Sequence, residues 1–149
     1  MFVTFREAGR ADVPAVLDLL RDDHLGSGRE QSDIALYHDA FDQMISEPGN
    51  RVIVGEADGR VVATYQITFI RGLSLRAARR AQLESVRVAS DLRGQGIGGR
   101  LIADAEKRAR AAGCKLMQLT MNATRADARR FYEAAGFTPT HIGFKRDLS

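Results

Sequence analysis

Arg93-Gly94-Gln95-Gly96-Ile97-Gly98-Gly99 places four glycines among seven residues. The strand-like run Leu83-Glu84-Ser85-Val86-Arg87-Val88 leads into it, and the amphipathic run Arg100-Leu101-Ile102-Ala103-Asp104-Ala105 follows. A glycine turn between a strand and a helix bares backbone N–H groups at the positive end of the helix, where a phosphate binds. Gly94, Gly96 and Gly99 also fit the dinucleotide-binding spacing G-x-G-x-x-G. That unit needs an acidic residue about 20 positions further on to hold a ribose, but the next strand-like run, Lys115 to Met121, ends in Met121-Asn122. Gly99-Arg100-Leu101 lacks the Lys-Ser/Thr ending of a P-loop. The phosphate therefore belongs to another class of ligand.

Arg93 to Gly98 resembles the acyl-CoA pyrophosphate loop of the GNAT acetyltransferase superfamily, Arg/Gln-x-x-Gly-x-Gly/Ala. Ala128-Arg129-Arg130-Phe131-Tyr132-Glu133-Ala134-Ala135-Gly136-Phe137 is similar to the family segment A-x-x-F-Y-E-x-x-G-F, and the resemblance runs roughly from Gln82 to Lys145. It implies an α/β fold of GNAT type: a mixed, mostly antiparallel sheet with helices on both faces and central strands that splay where pantetheine enters. It also implies acetyl-CoA as cosubstrate and direct attack by a primary amine in a ternary complex. Cofactor contacts carried over by the resemblance are Arg93, Gly94, Gln95, Gly96, Ile97, Gly98 and Gly99. The backbone of Val86, Arg87 and Val88 would take the pantetheine arm as an added strand.

Acetyl transfer needs a neutral amine, a polarised carbonyl and a proton for the departing thiolate. An aliphatic amine has a pKa near ~10 and arrives protonated, so a base must accept that proton. Glu84 is the candidate, two residues before Val86 and so expected on the same strand face; the competing reading is a strand carboxylate paired with a nearby Arg. Tyr132 is the candidate acid, because a phenol near ~10 stays protonated at neutral pH. It also shares helical spacing with Ala128, Phe131 and Ala135, which suits a core aromatic. A strand N–H near Val86 is expected to meet charge on the carbonyl oxygen. Asn122 serves either a pantetheine amide or a turn. Arg125 stands where many members of the family carry Asn, and an Arg donates only.

The stretch from Gln118 to Phe144 resembles the aminoalkylphosphonate acetyltransferase branch, which implies a small amine bearing an anionic group and brings a divalent metal into question. His24, His38 and His141 show no ligand spacing, so no metal site is assigned. The opposing reading, from another class, is a non-catalytic acyl-CoA sensor; such a module needs the phosphate loop but has no use for an acid and a base. A homodimer stays open.

The 149 residues, 44% hydrophobic and 28% charged, suit a single domain over 1–149. Residues 1 to 70 carry 6 Arg against 12 Asp or Glu, and residues 71 to 149 carry 16 Lys or Arg against 7 acids; the halves are net −6 and +9, giving +3. The basic half holds the phosphate loop, which favours an anionic cofactor. The basic residues are scattered without an aromatic-basic motif, so nucleic acid is not expected. No apolar run is long enough for a membrane span and no signal-peptide layout begins the chain, so a cytoplasmic location is expected. The single Cys114 rules out an internal disulfide and reads as a small hydrophobe.

These groups need a scaffold, and the periodicities supply one. Val3 and Phe5 alternate as a first strand, and Asp12 caps a helix with Pro14 in its first turn. Gly26-Ser27-Gly28 forms a loop before a helix from Glu30 to about Ser46. Strands at Val52–Glu56 and Val61–Phe69 flank an Asp58-Gly59 hairpin turn. Arg71 to Arg80 is ambiguous. Strand Gln82–Val88, a helix from about Gly98 to Ala112, strand Lys115–Met121, a helix from about Ala126 to Ala135 and a last strand from Phe137 to about Lys145 complete the order.

Overall fold

The computed structural model describes residues 1–22 and 33–149. Strand β1 (Thr4–Glu7) follows the Val3/Phe5 alternation, and a 3-10 turn at Arg10–Asp12 leads into helix α1 (Val13–Arg21). Asp12 does not cap that helix with its side chain. Its carboxylate accepts from the Gly9 N–H at 2.7 Å and from both terminal nitrogens of Arg6 at 2.7 and 3.0 Å. The Arg6 guanidinium therefore holds the Asp12 carboxyl below the usual carboxylate range.

Helix α2 (Ile34–Ser46) begins behind Asp33, whose side chain accepts from the Ala35 N–H at 2.9 Å. The expected start at Glu30 and the loop Gly26-Ser27-Gly28 lie outside the described residues, as does His24. Strands β2 (Asn50–Ala57) and β3 (Arg60–Ile70) form the expected hairpin, with Asp58 at φ 50° and Gly59 at φ 76° as a type I′ turn requires. The ambiguous segment contains one turn, Ser74–Ala77, in which Leu75, Arg76 and Ala77 all have positive φ. Strand β4 (Arg80–Val88), helix α3 (Ile97–Ala111), strand β5 (Leu116–Leu119) and helix α4 (Ala126–Ala134) follow.

Among the described residues the sheet has five strands in the order β1-β2-β3-β4-β5, antiparallel throughout except for the parallel pair β4–β5. Paired residues share a face, so Val52, Gln66 and Glu84 lie on one side and Ile53, Tyr65 and Leu83 on the other. Helices α1 and α2 cover the first side, where Val13, Leu17 and Phe41 pack with Val52. Helix α3 covers the second through Leu101 and Ala105, and the Tyr65 hydroxyl donates to Asp104 Oδ2 at 2.6 Å. The mixed sheet with helices on both faces is therefore present.

Two expectations about strands fail. β5 stops at Leu119, short of Met121, because the chain turns at Asn122. The expected strand from Phe137 to Lys145 makes no sheet pairing. Its alternation fits a sheet face, but a strand also needs an aligned neighbouring backbone, and the bonds it makes are local, such as Thr140 N–H to Thr138 O at 2.9 Å.

Candidate functional site

β4 pairs with β5 only where Arg80–Leu83 lie beside Leu116–Leu119. Residues 84–88 run on past the end of β5, so their edge away from β3 has no strand partner among the described residues. The sheet opens at this point, which is the splay that the pantetheine arm requires. In the same stretch the pairing to β3 slips. Gln66 faces Glu84 and Thr64 faces Arg87, leaving Ser85 and Val86 together opposite Tyr65. Ser85 lies at φ 53°, and the extra residue is a β-bulge.

The bulge corrects the expectation that Glu84 and Val86 share a face. One inserted residue resets the two-residue period, so Glu84 shares its side with Arg87 while Val86 packs against the core. Glu84 is exposed, and among the described residues no hydrogen bond or ion pair holds its carboxylate. Arg87 lies on the same side but forms no ion pair with it. Arg87 Nη1 donates to the Val86 carbonyl at 3.0 Å.

Beyond the 3-10 turn Ser90–Leu92 the chain passes through Arg93, Gly94, Gln95 and Gly96. Gly94 has φ 82° and Gly96 φ 77°, a region that disfavours a side chain. Gly96 is the N-cap of α3 and contributes no side-chain cap, so the first-turn N–H groups of Ile97, Gly98 and Gly99 lack an intrahelical acceptor. A Cβ at Gly94, Gly96 or Gly99 would meet no atom within 4 Å. Bare donors at a helix N-terminus facing open space fit a diphosphate. The Ile97 side chain is buried and anchors the loop, so this residue offers the ligand only its backbone. Gly98 has a second constraint, because a Cβ there would stand 3.0 Å from the Phe131 ring. Arg93 is exposed, and the Gln95 carbonyl accepts from Arg100 Nη2 at 3.3 Å.

Helix α4 brings in Tyr132, half-buried and edge-on to Phe131 and Phe137 with ring centroids 5.1 and 5.8 Å away. Burial raises its phenol above the ordinary 10.0, while the positive charges of Arg125 and Arg87 pull it down. Among the described residues no hydrogen bond holds its hydroxyl. Tyr65 differs, since its hydroxyl is tied to Asp104. Arg125 is the N-cap residue of α4. Asn122 forms a turn: its Oδ1 accepts from the Thr124 N–H at 3.0 Å and hydroxyl at 2.6 Å. Its side-chain NH2 makes no bond among the described residues.

Arg87, expected to act through its backbone alone, also bears on Tyr132 through its charge. Nothing about a serine flanked by strand residues signals the left-handed backbone of Ser85. Among the described residues no group of three or more His, Cys, Asp or Glu side chains stands ready for a metal ion. Cys114 is half-buried, and burial pushes its thiol up.

A bare glycine cradle beside an opened sheet is the architecture implied by the two motifs, and the acetyltransferase (GNAT) family model matches residues 13–137. The chain belongs to the GNAT acetyltransferase family. Membership of this acetyltransferase family brings acetyl-CoA as the cosubstrate. The chain is 30% identical over 120 residues to the aminoalkylphosphonate N-acetyltransferase of Salmonella typhimurium, covering 80% of this chain and 77% of that protein. A solved structure from Bacillus halodurans, described as a transcriptional regulator, is 39% identical with a TM-score of 0.94 over 99% of this chain and 100% of the other. Glucosamine-6-phosphate N-acetyltransferase from Arabidopsis thaliana shares the fold at 17% identity and a TM-score of 0.80, over 100% of both chains. No described helix of this GNAT chain is long and apolar enough to cross a membrane.

Proposed function

We infer that this chain is an N-acetyltransferase that acetylates a small primary amine carrying an anionic group, by direct attack in a ternary complex. The observation that carries the reading is the junction itself. Gly98 in the first turn of α3 sits on the Phe131 ring, Tyr132 is edge-on to that ring, and the open edge of β4 starts where its pairing with β5 stops. Acetyl-CoA supplies an activated acyl carbon and a thiolate leaving group. The N–H groups of Ile97, Gly98 and Gly99 hold the diphosphate, and residues 86–88 take the pantetheine amides along their open edge. In this reading the NH2 of Asn122 and the guanidinium of Arg125 add polar contacts to the cofactor.

Glu84 takes a proton from the ammonium, directly or through one water, which frees the lone pair that bonds to the acyl carbon, and the second proton that the nitrogen then sheds restores the Tyr132 phenol. Tyr132 gives its proton to the sulfur as the carbon–sulfur bond breaks. Its raised pKa keeps it in the donating form across neutral pH, and Arg87 and Arg125 stabilise the phenolate that remains. The 30% identity to an enzyme named for aminoalkylphosphonates supports the amine-plus-anion substrate class. The cationic half of the chain, net +9, favours the approach of both anionic ligands.

A second reading has one observation behind it: the 39% identical Bacillus halodurans protein is described as a transcriptional regulator. In that case the chain reports acyl-CoA without turnover. Thiol release from acetyl-CoA, followed across a panel of aminoalkylphosphonates, amino acids and polyamines, separates the two. Release with an anionic amine supports the enzyme. Tight acetyl-CoA binding with no release across the panel favours the sensor.

A further inference from the structure

Two basic segments without an acid meet beyond the C-terminal end of α3, away from the glycine cradle. Residues 71–81 include Arg71, Arg76, Arg79 and Arg80, residues 107–121 include Lys107, Arg108, Arg110 and Lys115, and neither stretch contains Asp or Glu. The Lys115 N–H donates to the Arg79 carbonyl at 2.8 Å and joins the two. Beside this junction lies a cavity of about 400 Å³ whose charged lining is Arg71, Arg76, Arg79 and Lys115, with no carboxylate. Arg108 and Arg110 are paired with Asp104 and Glu106, whereas among the described residues none of the four lining cations has an ion pair. Arg79 is held in place: its guanidinium lies over the Phe69 ring, 5.2 Å from the centroid, and Nη1 donates to the Ala112 carbonyl at 2.6 Å. Its Nε is buried and meets no acceptor among the described residues, an unmet donor of a kind that folded proteins rarely keep. Leu75, Arg76 and Ala77, which also line the cavity, have φ 52°, 60° and 59°, a left-handed run that side chains disfavour. The positive field reaches Cys114, whose thiol burial pushes up while Arg79 and Arg71 pull it down.

We propose that this cavity is a second anion site, separate from the cofactor cradle, which takes a phosphate group, free or borne on a small ester. Four cations around one opening with no acid among them repel one another until an anion enters. Guanidinium forks and an ammonium offer donors from several directions, which suits the oxygens of a phosphate. The volume is that of a small-molecule site, and Leu75 gives it an apolar wall for the carbon part of an ester. The 15 residues of α3 span about 22 Å between this end and the cradle, so the two sites fill independently. The charge surrounds a pocket rather than forming a stripe, which favours a small ligand over a nucleic-acid backbone.

Backbone amide shifts of the full-length chain read the site directly, titrated with sodium phosphate and with glycerol 3-phosphate against sodium chloride of equal ionic strength. The N–H signals of Ala77, Arg79, Gly113 and Lys115 should move along a saturable curve, and should do so equally in excess acetyl-CoA. A lower midpoint for glycerol 3-phosphate assigns the site to an ester, and equal midpoints assign it to the free ion. The double variant Arg76→Gln/Lys115→Gln removes two exposed charges, so its circular dichroism should match wild type. Its dissociation constant for either probe should rise at least about 10-fold. Equal shifts in chloride overturn the proposal, as does a response confined to Ile97–Gly99 or a folded double variant with wild-type affinity. A short DNA duplex that moves these amides at lower concentration than either probe also overturns it, since the patch would then be a nucleic-acid surface. Should the variant unfold, the wild-type titration decides alone.

Discussion

The ring of Phe131 stands 3.0 Å from the point where a Cβ on Gly98 would be. The first turn of α3 therefore sits directly on α4, and the cradle for the diphosphate is fixed against the helix that carries Tyr132. Glycine at 98 is a packing requirement, whereas glycine at 96 and 99 faces open space. Gly98→Ala should cost stability through overpacking, about 1 to 3 kcal/mol. Gly99→Ala should raise stability by up to about 1 kcal/mol, as the usual gain over Gly inside a helix. Thermal melts of the two variants check this opposite sign.

Gly96→Asp isolates the cradle from the packing. Asp tolerates a left-handed backbone better than other side chains, and no atom lies within 4 Å of the new Cβ. The variant should stay folded and lose acetyl-CoA affinity, because its carboxylate repels the diphosphate where the N–H groups point. Calorimetric titration checks it; wild-type affinity in the folded variant would remove the loop from the binding site.

Tyr132 and Tyr65 make a matched pair. Among the described residues the Tyr132 hydroxyl has no bond to lose, so Tyr132→Phe should leave the melting temperature nearly unchanged and lower turnover by roughly 10²-fold or more. Tyr65→Phe removes one of two donors to Asp104 Oδ2, the other being Arg108 Nε at 2.8 Å, and should cost about 0.5 to 1.5 kcal/mol, with turnover per folded molecule intact. Turnover and melting measured side by side on both variants test the assignment, and an active Tyr132→Phe enzyme would end it.

Glu84→Gln keeps size and removes the base. Acetyl-CoA affinity should stay near wild type while turnover falls by about 10²- to 10⁴-fold. An unchanged rate would mean that the amine loses its proton elsewhere.

Asp12 links pH to stability. Its carboxyl is held below the ordinary 3.8 by Arg6, so the contribution is present above that value and is lost as pH falls through the folded-state pKa. Asp12→Asn should be less stable by about 1 kcal/mol at pH 7. The gap to wild type should close as pH drops below 3.8. Denaturant titrations at a series of pH values give the curve.

The cradle was legible because Gly94 and Gly96 report a backbone need directly, and the Asp58-Gly59 turn for the same reason. The helix ends expected near Ala112 and Ala135 were equally plain, because each is followed by a glycine, Gly113 at φ 79° and Gly136 at φ 98°. What escaped depends on partners distant in sequence. The bulge at Ser85 exists because β3 pairs on both sides of Tyr65 in different registers. Asp12 has a capping residue's type and position, yet Arg6 and the Gly9 N–H compete for its carboxylate. The alternation of 137–145 is a strand's, and no alternation states which edge will receive it.

The consecutive order of the strands also sets a sequence of events in time. β1 through β4 each pair with a neighbour in the sheet, and β2, β3 and β4 close in succession through short connections. The parallel β4–β5 contact must wait for α3 to form and cross over, a costlier closure. The elements that flank the cofactor cleft on its far side are thus the last to be secured and the first to open locally. Cofactor bound to the native cleft adds its binding energy there, so slow-exchanging amides in β5 and α4 should gain most from it.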